Sequence, residues 1–114
     1  MSDASTGVEA LLVLERQHAL ERVAKLEADL DALTRARRSE SDDDEHDPEG
    51  ETLSAQWSLR AGLLEDARAT LRQVDAALER LAAGSYGVCV VCGNRIPEGQ
   101  LEARPFREQC VKCA

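Results

Sequence analysis

Apolar residues recur in the first third of the chain at Leu12, Ala19, Val23, Leu26, Leu30 and Leu33, in alternating steps of four and three that put them on one helical face. Only Arg16 breaks the stripe. Upstream, Thr6-Gly7-Val8-Glu9 has the form of a capping box, in which the Thr hydroxyl and the Glu carboxylate satisfy free N–H groups of a first turn. The pattern therefore predicts a first helix opening there and running to about Arg38. A second stripe, Leu53, Trp57, Arg60, Leu64, Ala67, Leu71, Val74, Leu78 and Leu81, keeps the same heptad spacing with Arg60 as its one polar member. Asp47-Pro48 is suited to open that second helix, since Asp caps and Pro tolerates the first helical position, and Gly84 is suited to stop it.

Two helices of about 30 residues, each about 45 Å long, carry matched seams across a short polar connection. The economical arrangement is an antiparallel hairpin folded on itself, hence a monomer; the alternative is that both seams serve intermolecular coiled coils. Arg16 and Arg60 are expected to pair with acids across the hairpin or to fix its register, and Trp57 to be ordinary core. The expected class is all-α dominated, a long antiparallel helical hairpin (coiled coil) with a small C-terminal module that carries all four cysteines. The expected organisation is a flexible N-terminus over 1–7, the hairpin over 8–83 with an acidic tip at 40–51, and the finger module over 84–114.

Composition agrees with helices. Only Trp57, Tyr86 and Phe106 are aromatic, while Ala, Leu, Glu, Asp and Arg dominate. The net charge of −8 is localised: residues 40–51 carry eight acids and no Lys or Arg, and elsewhere 14 acids balance 14 bases. Such a chain has no basic stripe for nucleic acid, and its natural partners are cationic surfaces or metal ions. A calcium loop fails on register, because Gly50 at the sixth position puts Gln56 where a bidentate Glu is required and leaves Pro48 inside the loop. No nucleophile, base or phosphate loop emerges around His18 or His46, so no enzyme is expected. The N-terminus has no basic start or apolar run of a secretion signal and no stretch could span a bilayer, which predicts a reducing cytoplasmic setting.

The four cysteines lie at Cys89-x2-Cys92 and, 17 residues on, Cys110-x2-Cys113. That spacing is the four-thiolate zinc pattern, with two knuckles closing a tetrahedron and no position left open for water. Gly93 suits the tight turn after Cys92. Residues 84–114 hold too few apolar side chains to fold by burial alone, so one structural zinc ion is expected to serve as the core. A thiol redox pair lacks its strand-to-helix context, and two disulfides lack their compartment.

These residues resemble the DksA/TraR zinc-finger family, proteins that bind bacterial RNA polymerase. The likeness is densest in Gly84-x-Tyr86-Gly87-x-Cys89-x-x-Cys92-Gly93-x-x-Ile96, continues through Leu101-Glu102-Ala103-Arg104-Pro105 to Cys110-x-x-Cys113, and extends over residues 8–114. The resemblance implies a hairpin inserted into the polymerase secondary channel, with the tip acids Asp47, Glu49 and Glu51 near the catalytic magnesium, and a zinc module gripping the channel rim. It implies altered stability of promoter complexes, with no chemistry done by the protein itself. The family's best-known tip has a second Asp where this chain has Gly50. Of the basic residues used by members that respond to the alarmone ppGpp, Arg104 remains, and Gln73 stands where those members carry a lysine. Outside the family, the chain would read as a zinc-stapled coiled-coil adaptor for another cationic partner, such as a ribosomal surface.

Overall fold

The computed structural model describes residues 3–40 and 52–114. Three helices succeed one another: α1 (Asp3–Glu40), α2 (Leu53–Ala83) and the short α3 (Glu98–Ala103). Among the described residues the only β-type pairing is a single antiparallel bridge between Val88 and Arg95. The acidic residues 41–51, and with them Asp47, Glu49, Glu51 and His46, lie outside the described residues.

Both long helices start elsewhere than the sequence suggests. α1 begins at Asp3, ahead of the Thr6-Gly7-Val8-Glu9 box, and so carries Gly7 inside it. An exposed glycine costs only about 1 kcal/mol against alanine, too little to stop a helix anchored by buried Leu12. α2 begins at Leu53 rather than at Pro48. Its opening is made by Thr52, whose hydroxyl accepts the backbone N–H of Ala55 at 3.0 Å, the N-cap arrangement.

The far end of α2 follows expectation. Gly84 adopts φ +84, the left-handed conformation a β-carbon disfavours. Its N–H donates to the Leu81 carbonyl and that of Ser85 to the Arg80 carbonyl, the paired bonds of a Schellman cap.

The chain divides into two compact units, one combining α1 up to His18 with Thr70–Ala114, the other Ala19–Ala69. In the second unit Leu26, Leu64 and Ala67 form a buried cluster with Val23, Leu30 and Leu63 against it. Glu27 binds Arg68 at 3.0 Å and Thr34 binds Trp57 at 3.1 Å, so an advance along α1 goes with a retreat along α2: the helices are antiparallel. In the first unit Arg16 meets Asp75 at 2.6 Å, the cross-helix pairing expected of that seam arginine. Arg60 does otherwise, its guanidinium turning back to the Gln56 carbonyl of its own helix. Leu12, Val74 and Ala77 are fully buried in the first unit. Ala77 lies outside the heptad stripe. No helix among the described residues is long and apolar enough to cross a membrane.

Candidate metal centre

The finger is built around two tight turns. Gly87 and Ile96 are joined by an N–H to carbonyl bond of 2.7 Å, and Cys89 donates to Asn94 at 2.8 Å, folding 87–96 back on itself. Gly93 closes the turn at φ +75, as its place after Cys92 suggests, with its N–H on the Cys89 carbonyl. In the second turn the N–H groups of Cys113 and Ala114 both reach the Cys110 carbonyl. Between the turns, α3 is flanked by Pro97 as N-cap and Arg104 as C-cap, and the extended backbone of Arg104 is the one a residue before proline prefers.

Four sulfurs converge here. The Sγ atoms of Cys89, Cys92, Cys110 and Cys113 all lie within 4.8 Å of one another, and Cys92 and Cys110 are 3.9 Å apart. A tetrahedron of sulfurs about 2.3 Å from a central zinc has edges close to that separation. All four thiols are free. Cys89 Sγ accepts backbone N–H groups from Cys92 at 3.5 Å and from Cys110 at 3.4 Å. Those two donors, against the opposing effect of burial, draw the Cys89 thiol down to about 6. Cys113 is pushed up to about 12, chiefly by its side-chain hydrogen bond with Cys110 and by burial. Sulfurs this close cannot all carry charge unless a cation lies among them. The donor set fits one structural zinc, which would supply that charge and no reaction, since four thiolates fill its coordination.

The finger's core is the site itself. Cys89, Ile96 and Cys110 are buried together, with Leu101 and Cys113 packed against them. Around this core lies a set of polar links that no periodicity in the sequence announces. Tyr86 donates its hydroxyl to the Pro105 carbonyl at 2.7 Å, Val90 its N–H to the Glu108 carbonyl at 2.9 Å, and Val111 its N–H to Gln100 Oε1 at 3.0 Å. Partners 11 to 19 residues apart leave no local signature. Burial holds the Tyr86 hydroxyl above its ordinary pKa, opposed by the nearby Arg80 charge.

Arg104 is exposed, with its guanidinium 5.9 Å from the centre of the Phe106 ring. It lines a small pocket of about 130 Å³ together with Gln73, Phe106, Arg107 and Glu108, so two of the positions singled out in the sequence share one recess.

Comparison with known proteins follows the same division. Residues 84–114 match the prokaryotic dksA/traR C4-type zinc finger. The chain is 52% identical over 46 residues to an uncharacterized protein of Aquifex aeolicus, and 31% identical over 62 residues to the RNA polymerase-binding transcription factor DksA of Haemophilus influenzae. These matches take in 40% and 54% of the chain but only 32% and 43% of the relatives' own length. Among solved structures, transcription factor DksA2 from Pseudomonas aeruginosa superposes with a TM-score of 0.76 at 26% identity, covering 98% of this chain and 81% of that one. The DnaK suppressor protein from Agrobacterium tumefaciens gives 0.61 at 29% identity, over 99% and 93%.

Proposed function

Since its finger and its fold place this chain in the DksA/TraR C4-type zinc-finger family, we propose that it is a transcription regulator that binds bacterial RNA polymerase directly, without reading DNA sequence. In this reading the hairpin enters the secondary channel and the acids Asp47, Glu49 and Glu51 act near the catalytic centre. The zinc module, with Arg104 on its surface, holds the channel rim. The observation that carries the proposal is the joint occurrence of the four-sulfur finger with a two-helix fold similar to DksA2 over 98% of the chain. Charge supports it: the eight-acid segment disfavours nucleic acid as the direct target and suits a cation-rich protein channel.

The test separates holding from acting. Asp47→Asn with Glu49→Gln is expected to abolish the change in promoter-complex lifetime while leaving polymerase affinity within a few fold. The two measurements, in vitro transcription and a binding titration, are run at two salt concentrations. Retained regulation would remove the tip from the mechanism, and affinity lost in proportion to charge with a matching salt dependence would reduce the acids to electrostatic steering. Failure of the wild-type chain to bind purified polymerase would overturn the reading as a whole and favour a different cationic partner.

A further inference from the structure

Arg80 stands in the last turn of α2, one residue before seam residue Leu81, and its side chain keeps only 15% of its exposure. Two of its nitrogens, Nε and Nη2, are buried without a hydrogen-bond partner. Its ion partner is Glu108, with Nη1 and Oε2 3.8 Å apart. A guanidinium so placed is tolerable only while a counter-charge stays beside it.

Glu108 is fixed by the metal site. It lies two residues before Cys110, and its backbone carbonyl accepts the N–H of Val90, which sits between Cys89 and Cys92. Both knuckles thus hold it, directly or through the chain. Tyr86, whose hydroxyl holds Pro105, feels the charge of the same guanidinium. The Val90 bond and the two-residue step to Cys110 tie the place of Glu108 opposite Arg80 to the cation that holds the knuckles.

We propose that Arg80 couples zinc occupancy of the finger to the end of α2, with Glu108 as the coupling partner. Zinc loss releases Glu108, the stranded guanidinium leaves its buried place for water, and the last turn of α2 with its Gly84 cap opens. By reciprocity, whatever stabilises Arg80 in its buried position tightens zinc binding, and whatever removes its partner weakens it.

The experiment uses the full chain and two readouts that need no polymerase. Zinc affinity is measured by competition with a chromogenic chelator, and amide hydrogen exchange is followed over residues 77–85 with and without the metal. In the wild-type chain, zinc removal is expected to speed exchange there at least about tenfold. Glu108→Gln, which keeps the shape and removes the charge, is expected to weaken zinc about tenfold, the lower end for outer-shell partners of a metal site. In Arg80→Met, which keeps the apolar stem and strands no charge, the same amides should respond to zinc removal less than threefold. If Arg80→Met opens on zinc removal as fully as the wild type, the opening comes from loss of finger packing alone and the proposal is wrong. Unchanged zinc affinity in Glu108→Gln overturns it equally. Should Arg80→Met not fold, Arg80→Lys supplies the comparison: a retained charge should keep the zinc response, and its loss would refute the coupling.

Discussion

The indole N–H of Trp57 donates to the Thr34 hydroxyl at 3.1 Å, and the Arg37 guanidinium lies 6.0 Å from the centre of the same ring. Trp57 is therefore more than seam filler. Trp57→Phe keeps a ring and deletes the donor, and because Thr34 is only half-buried its hydroxyl can turn to water. The expected loss is about 0.5–1.5 kcal/mol. Trp57→Ala also returns the ring's apolar surface to water and should cost on the order of 2–3 kcal/mol. Urea unfolding followed by circular dichroism gives both values, and equal losses would show that the ring contributes nothing beyond its hydrogen bond.

Arg16 and Asp75 each retain 43% of side-chain exposure, so their 2.6 Å pair is screened by solvent and worth less than about 1 kcal/mol. Arg16→Leu would complete an apolar seam. The variant is expected to be as stable as the parent or more so, and a loss above about 2 kcal/mol would show that the ion pair matters more than its exposure allows.

Two glycines should respond to alanine with opposite signs. Gly84, at φ +84, ends α2, and a β-carbon there costs about 1–2 kcal/mol. Gly62 is exposed in mid-helix with nothing within 4 Å of an added β-carbon, so Gly62→Ala should gain up to about 1 kcal/mol. Melting temperatures of the two variants should lie on either side of the parent.

Zinc and pH are linked through the thiols. Cys89, drawn down to about 6 from 9.0, contributes stability that is complete above 9.0 and lost as pH falls through 6. Cys113, pushed up to about 12, contributes in the opposite sense: fully below 9.0, lost as pH rises through 12. Zinc overrides the second effect because it requires the thiolate. One metal per chain should bind with release of protons at neutral pH and leave on acidification as protons compete for the thiolates, and Cys110→Ser should abolish stoichiometric binding. Elemental analysis and a pH titration of zinc release check this; a metal retained at about pH 4 would contradict it.

What the sequence disclosed depended on how local each cause was. The two seams were legible because every buried or half-buried seam residue, from Leu12 to Leu81, obeys a three-four step. Ala77 escaped because a small residue flanking the stripe is buried wherever helices approach closely, and nothing in its type declares that. The start of α2 was misplaced because Asp47-Pro48 and Thr52 are both good openings, and chain pattern does not rank them. The four cysteines were legible from spacing alone, whereas Arg80 and Glu108, 28 residues apart, meet only through the finger's fold.

In the finger, the buried cluster consists of Cys89, Ile96 and Cys110, flanked by Leu101 and Cys113, so most of the hydrophobic interior is also the ligand set. Mutational tolerance is divided accordingly. A helical seam can drift, one leucine exchanging for a methionine or isoleucine while its neighbours adjust. The finger is less free, because at Cys89 and Cys110 a substitution alters the packed interior and the ligand set together. The hairpin can change by small steps, whereas a single change at Cys89 or Cys110 disturbs packing and metal binding at once.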